Sequence, residues 1–373
     1  MRSSIRPGRL CATAAAVILC TSLVTACSSS TPQDASSGKA GVDVTDLTGA
    51  RVHLDQTAQR VVTIPLPAAS MLVAVDGTAD HLVGMNSASM TAIENGFLGE
   101  AYPQLLDVPS DVAGTDFAPN MESIMRTDPD LVIQWGDEGS GVVDPLTQSG
   151  IPVAQITYGT QERIEAITAL YGELLGKQDR ARRIVDTMHE RRAELERREP
   201  ATTADGTQPS VLYLRGDKDA FNANGTNSYN HFTTELAGAR DAAEKVNGSS
   251  VAVSPEQILA WDPDVILLGN FGQMTPEDLY NDPRFAELKA VQNRQVYKVP
   301  LGGYRWDPPS QESSLMWTWL AAVVRGESAP GLREMIADDY EFLYNKRPDD
   351  TQLDQILQTE ANKDSANYAD FGR

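Results

Sequence analysis

Residues 120–136 read Asn-Met-Glu-Ser-Ile-Met-Arg-Thr-Asp-Pro-Asp-Leu-Val-Ile-Gln-Trp-Gly, and residues 254–270 read Ser-Pro-Glu-Gln-Ile-Leu-Ala-Trp-Asp-Pro-Asp-Val-Ile-Leu-Leu-Gly-Asn. Glu122 aligns with Glu256, Ile124 with Ile258, and Asp128-Pro129-Asp130 with Asp262-Pro263-Asp264, at an offset of 134 positions. Each copy parses as a short helix followed by a strand. Asn120 and Ser254 are good N-caps, Pro255 suits the first helical position, and Ser254 with Gln257 spells a capping box. The helix must stop near Asp128 or Asp262, because a following proline drives its predecessor out of the helical region. Leu131-Val132-Ile133 and Val265-Ile266-Leu267-Leu268 are short, apolar and rich in branched residues, as in strands buried on both faces. The repeat predicts an α/β protein of two similarly built lobes, each Rossmann-like with a mostly parallel sheet.

Working outward, 373 residues hold about two ordinary domains. The composition, 41% apolar and 22% charged, is globular. The net charge of −21 makes the chain a poor candidate for nucleic acid, since that affinity rests on Lys and Arg meeting phosphates. Arg2, Arg6 and Arg9 precede the apolar run Leu10–Val24, which is short for a membrane span and reads as a signal segment over residues 1–26. It ends Leu23-Val24-Thr25-Ala26-Cys27, which resembles a bacterial lipobox with Cys27 as the lipid anchor. Removal of Cys11 and Cys20 with that segment leaves Cys27 alone, which excludes an internal disulfide, a zinc-thiolate cluster and a cysteine nucleophile. Residues 27–41, rich in Ser, Gly, Ala, Pro and Thr, read as a flexible tether.

Residues 42–160 form the expected N-terminal lobe. It opens with a hairpin (Val42–Asp46 and Arg51–Leu54), then a strand at Arg60–Ile64, a helix at Ala69–Val75 and strands at Leu82–Met85 and Val153–Ile156. From 161 to 199 there is no proline, and Ile164, Ile167, Leu170, Leu174, Ala181, Ile184, Val185 and Met188 recur at helical spacing. One linker helix of about 35 residues would be about 52 Å long. Residues 200–345 form the second lobe, with strands at Val211–Leu214 and Gln295–Val299, a Gly- and Asn-rich loop at Arg215–Asn230 and helices near His231–Ala237 and Leu315–Val324. Residues 346–373 read as a polar tail that frays.

Several chemistries are missing. His53, His81, His189 and His231 are scattered without metal-ligand spacing. There is no Walker loop, dinucleotide fingerprint or Gly-x-Ser-x-Gly elbow, so no catalytic residues, no metal and no cofactor are assigned. Aromatic, amide and guanidinium groups instead cluster after the carboxyl ends of predicted strands, where open α/β sheets bind ligands. They are Pro67 and Ser70, Trp135, Tyr158, Arg215, Asn224 and Tyr229, Asn270 and Phe271, and Tyr304, Arg305 and Trp306. Arg215 and Arg305 suit an anionic ligand, because a guanidinium holds oxygen anions in a planar fork. Glu122 and Glu256 favour their helix dipoles, but the dipole alone does not require the same acid at the same place in both lobes.

The lipobox, the hairpin, Arg60-Val61-Val62, Asn120-Met121-Glu122-Ser123-Ile124, the two Asp-Pro-Asp strands and the bridging helix together resemble one family. It is the substrate-binding proteins of ABC importers for iron-siderophore, haem and cobalamin complexes. The resemblance covers residues 42–345. It implies two rigid lobes joined by one long helix, a ligand cleft between them and small closure. It also implies a monomer held outside the cytoplasm on the cell membrane by its lipid, delivering a chelated iron complex to a permease dimer. By motif position Glu122 and Glu256 would dock onto permease arginines, a symmetric pair meeting a two-fold partner. The loops 225–230 and 304–310 are longer than in short members, which leaves ferric siderophore, cobalamin and haem open, with Tyr158, Tyr229 or Tyr304 as axial groups for haem. A chelate-processing surface enzyme and a ligand-free adhesive lipoprotein are the readings from other classes.

Overall fold

The computed structural model describes residues 41–218 and 220–373. The signal segment, Cys27 and nearly all of the tether lie outside the described residues. The first lobe runs β1 (Val42–Thr45), β2 (Arg51–Leu54), β3 (Val61–Thr63), α1 (Ala68–Asp76), β4 (Leu82–Met85), α2 (Ser87–Glu94) and α3 (Phe97–Ala101), then α4 (Met121–Arg126), β5 (Leu131–Trp135), α5 (Ser140–Gln148) and β6 (Val153–Ile156). The hairpin β1–β2 is its own two-stranded sheet, and β4-β3-β5-β6 is wholly parallel.

Two helices, α6 (Gln161–Leu175) and α7 (Gln178–Glu196), lead onward. The second lobe contains β7 (Ser210–Asp217), β8 (Ala220–Ala223), α8 (Tyr229–Leu236), β9 (Arg240–Asp241), β10 (Val251–Val253), α9 (Pro255–Trp261) and β11 (Val265–Leu268). It continues with α10 (Pro276–Tyr280), α11 (Lys289–Gln292), β12 (Val296–Lys298), α12 (Ser313–Arg325), α13 (Leu332–Tyr344) and α14 (Asp350–Ile356). Its sheet has the order β10-β8-β7-β11-β12, with β9 beside β7; β7, β11 and β12 are parallel, and β8 turns back antiparallel. The Gly- and Asn-rich stretch predicted as one loop therefore begins as sheet, because β7 runs on to Asp217 and pairs with β8.

The repeated stretch does the same structural work twice. Asn120 accepts from the Ser123 N–H and Ser254 from the Gln257 N–H, both at 3.3 Å, so each helix is capped, although at α9 only the Ser254 half of the expected box forms. Asp128 and Asp262 take left-handed backbone at φ 48° and 40°. The second aspartate of each triplet then reaches the lobe's first core strand. Asp130 accepts from the Gln59 and Arg60 amides at 2.8 and 2.9 Å, and Asp264 from the Ser210 amide and hydroxyl, both at 2.8 Å. Each carboxylate thereby fixes where β3 or β7 enters the sheet beside β5 or β11.

The predicted single linker helix is instead a helical hairpin. Gly176 closes α6 in the left-handed region (φ 68°), where a side chain is disfavoured. A Cβ on Gly172 would stand 2.6 Å from the Ala181 Cβ, so the glycine is what lets α7 fold back. The antiparallel return puts His189 3.0 Å from Glu165 and Gln161 3.2 Å from the Met188 sulfur. One helix still spans the two lobes, but it is α7 alone, about 28 Å long. At its start Arg180 donates to the Ala74 carbonyl at 2.9 Å; near its end Arg191 donates to Ser314 at 2.9 Å and Asp339 at 2.7 Å.

The C-terminal residues do not fray. Tyr368 and Phe371 are buried and stacked at 4.7 Å, and the Trp319 indole donates to the Tyr368 hydroxyl at 2.9 Å. α13 also crosses back onto the first lobe: Phe97 packs edge-on against Tyr340 at 4.9 Å, and Asn345 donates to the Gly77 carbonyl at 2.7 Å. One continuous apolar core accordingly passes beneath both lobes through α1, α6, α7, α12 and α13, with a separate core on the other face of each sheet.

Candidate functional site

The carboxyl ends of β5 and β6 set an aromatic wall. Trp135, the last residue of β5, is buried and meets Phe117 and Tyr158 edge-on at 5.7 and 5.9 Å. Tyr158 follows β6, and its hydroxyl donates across the cleft to the Pro309 carbonyl. Burial pushes the Tyr158 pKa well above its ordinary value, with Tyr304, Tyr229 and Asp307 adding to the effect, so it stays a neutral donor.

The facing wall carries charge. Arg215 lies near the end of β7, and Arg305 is in the loop after β12. Their guanidinium carbons are 5.8 and 4.5 Å from the centre of one ring, that of half-exposed Phe271. Such contacts are favourable and hold the cations in place. Arg305 also donates to the Asn270 carbonyl at 3.3 Å and, across the cleft, to the Ala88 carbonyl at 3.4 Å.

Two cavities open along this interface. One, of about 290 Å³, is lined by Tyr158, Arg215, Asn224, Tyr229 and Asp307 among others. The second, of about 420 Å³, is lined by Asn270, Phe271, Lys298 and Arg305 on one side and by Thr91 and Ala92 of α2 on the other. Both are of the size at which small ligands bind.

Among the described residues nine buried side-chain polar atoms lack a hydrogen-bond partner. Two of them, Arg215 Nε and Asn224 Oδ1, belong to residues that line the smaller cavity, and Thr63 Oγ1, Trp135 Nε1 and Thr157 Oγ1 lie at or just after strand ends of the first lobe. Buried polar groups are ordinarily satisfied, so the two at the cavity mark where a polar ligand would complete the structure.

Not every predicted residue faces the cleft. Trp306 is fully buried, donates to Glu312 at 2.6 Å and belongs to the core. Ser70 is buried inside α1 and donates to the Pro67 carbonyl at 3.0 Å, and Pro67 is itself buried. Tyr229 lines the smaller cavity, yet its hydroxyl is committed to Gln161 at 2.9 Å and to the Trp317 indole at 3.0 Å. Asn270 uses its amide to hold the Val299 and Pro300 carbonyls at 2.7 and 3.0 Å, which positions the loop instead of a ligand. Trp306, Ser70 and Pro67 follow strand ends in sequence, but local packing turned them inward, whereas Tyr229 and Asn270 line the cavities with their polar groups already engaged.

Three residues that matter were not singled out. Tyr213 stands two positions before Arg215 on β7, hence on the same face, and its hydroxyl donates to the buried Asp307 carboxylate. The period-two spacing was the available signal. Lys298, on β12, donates to the Gly269, Gly272 and Met274 carbonyls at 3.0, 2.9 and 3.1 Å and so ties down the loop that presents Phe271. Burial lowers its pKa to about 8, which leaves it charged at neutral pH. No group of three or more His, Cys, Asp or Glu able to hold a bare metal ion occurs among the described residues.

Glu122 and Glu256 are both exposed on α4 and α9, at the same distance from their buried isoleucines, Ile124 and Ile258. The Ser254 hydroxyl and the Glu256 amide hold the Glu256 carboxyl below its usual range, so it is ionised at neutral pH.

Comparison with known proteins agrees with this geometry. The family model for periplasmic binding proteins matches residues 69–301. A periplasmic solute binding protein from Veillonella parvula DSM 2008 superposes with a TM-score of 0.79 and 31% identity, covering 86% of this chain and 98% of that one. A cobalamin-binding protein of Halobacterium salinarum is 29% identical over 227 residues, 60% of this chain and 57% of the relative, so this chain spans little more than half of that protein. The Fe(3+) dicitrate-binding periplasmic protein of Escherichia coli is 25% identical over 249 residues, covering 66% and 78%. These relatives are solute-binding proteins and not enzymes, and members of the group work with ABC transporter permeases. With more than half of its length matched by the family model and a two-lobed fold shared with a solved member, this chain belongs to the periplasmic binding proteins.

Proposed function

We propose that the protein captures a ferric-siderophore-type metal chelate between its lobes and delivers it to an ABC transporter permease. The single observation that carries this is the pair of guanidinium groups, Arg215 and Arg305, gathered on Phe271 beside the two cavities. Aromatic and cationic side chains would hold the organic shell of an anionic complex, leaving the iron to its chelator. Cys27 would carry the lipid that keeps the protein at the membrane, and Glu122 and Glu256 would meet basic residues of the permease. The protein would act as a monomer.

Titration of tryptophan fluorescence with ferric hydroxamates, ferric catecholates, ferric citrate, haem and cobalamin tests the reading. Saturable quenching by a ferric chelate supports it, and silence across the whole panel refutes it. Replacing Glu122→Gln with Glu256→Gln tests delivery apart from capture: ligand affinity stays unchanged while cellular uptake falls, and normal uptake removes the docking role. Haem is a second reading because Tyr304 keeps a buried hydroxyl beside Arg305, its pKa pushed up to about 12 by burial. A Soret band lost in Tyr304→Phe would favour haem. Cobalamin saturation, insensitive to Arg215→Ala, would favour the remaining member of the class.

A further inference from the structure

Among the described residues four large apolar side chains are exposed: Leu106 at 44%, Met125 at 62%, Leu259 at 36% and Phe271 at 42%. Single exposed apolar residues are ordinary and need no account. Two of these four, however, occupy the same register of the repeated helix. Met125 is three positions after Glu122 on α4, and Leu259 is three positions after Glu256 on α9. Residues three apart on a helix share a face, so each lobe presents a carboxylate and an apolar side chain together. The residue between them that turns inward is isoleucine in both copies, Ile124 and Ile258, and both are fully buried. The sequence around the pair is otherwise free to differ: Arg126 in the first lobe corresponds to Ala260 in the second, and both are exposed. What is repeated is the outward pair of acid and apolar group.

We propose that Met125 and Leu259 are the apolar half of a two-point docking surface, each seated in an apolar socket beside a basic residue on one of two like membrane subunits of the permease. This rests on the reading of Glu122 and Glu256 as docking acids. Three features favour that occupant over a second copy of this chain or an unrelated protein. The acid beside each apolar group asks for a basic, partly apolar socket, whereas this chain is itself strongly acidic at −21. The pair occurs once on each lobe, which asks for a partner that offers the same socket twice. Each patch is a single side chain wide, so neither alone would support stable binding, and two together on one rigid body would. Removing the carboxylates should weaken attraction and orientation, and removing the apolar groups should shorten the life of the docked state, by on the order of 10-fold per side chain.

The test uses the full chain in its own cells, with photoreactive benzoylphenylalanine at Arg126 or, separately, at Ala260, next to each pair. Irradiation should join both positions to the same multi-span membrane subunit, identified by mass spectrometry. Met125→Ser with Leu259→Ser should lower that yield about 10-fold or more with an unchanged melting temperature, and Met125→Leu should preserve it. Glu122→Gln with Glu256→Gln should lower it as well. If the serine pair leaves the yield intact while the glutamine pair lowers it, the apolar half is wrong and the docking acids stand. If neither pair lowers it, or the two positions reach no common membrane subunit, the docking reading fails and this proposal fails with it.

Discussion

Trp135 ends a buried strand with its indole N–H unpartnered and its ring against Tyr158, within the aromatic wall of the cleft. Trp306, Trp317 and Trp319 are enclosed in the core, where their indoles donate to Glu312, Tyr229 and Tyr368. A coloured ferric chelate in the cleft should therefore quench Trp135 far more than those three. Trp135→Phe is expected to remove most of the quenching while the affinity, followed by calorimetry, changes by no more than about 10-fold, the scale of a single lost neutral hydrogen bond. Quenching that survives the substitution would move the ligand elsewhere. Trp135 and Trp306 show how far single positions can be read. Both follow strand ends and both were assigned to the ligand, but a sequence gives proximity to a cleft and not the direction of a side chain. Trp306 turned inward because Glu312, six residues on, offers a buried acceptor.

The strand–helix alternation and the two Asp-Pro-Asp units were legible because hydrophobic period, proline and capping residues are local signals that packing did not override. The α6–α7 hairpin was not, since its periodicity continues through the break and the break depends on tertiary approach. A lone glycine such as Gly176 is tolerated inside many helices, and the contact that decides the turn, Thr57 against Gly176, is far away in sequence. A Cβ on Gly176 would meet Thr57 at 2.9 Å, and the backbone there is left-handed. Gly176→Ala should cost about 1–2 kcal/mol, read as a lower urea midpoint with an unchanged slope. A neutral substitution would mean that the hairpin turn is less constrained than described. The C-terminal elements were missed for a similar reason: Tyr368 and Phe371 are two aromatic rings in a polar stretch, and only the packing partners Tyr297 and Trp319 reveal them as core.

The two lobes share a core and are tied by α7, by α13 and by Arg180, which joins the end of α1 to the Leu343 carbonyl at 2.9 Å. Such continuity favours a small adjustment on binding over a wide hinge closure. Glu312 lies at the centre of this junction, accepting from Trp306 at 2.6 Å, from Tyr340 at 2.7 Å and from Tyr344. Burial holds its carboxyl above the usual range, outweighing the bonds from Tyr344, Tyr340, Trp306 and Gln311. Between the unfolded value near 4.5 and the raised folded one, the folded chain binds more protons than the unfolded chain. The stability that Glu312 contributes is thus full at the acid end of that window and declines as pH rises through it. Urea midpoints of the protein and of Glu312→Gln should differ most in favour of the native residue near the acid end, and the advantage should shrink towards neutral pH. A difference independent of pH would contradict this. In the proposed complex Arg215 and Arg305 hold an anionic metal chelate between the lobes. The most direct test is a calorimetric titration of the ferric chelate that saturates the native protein, repeated on a folded Arg215→Ala, Arg305→Ala variant. Loss of about 1.5–3 kcal/mol for each guanidinium removed, a combined weakening of at least about 100-fold, is the expected result. Binding of equal strength in the two proteins would contradict it.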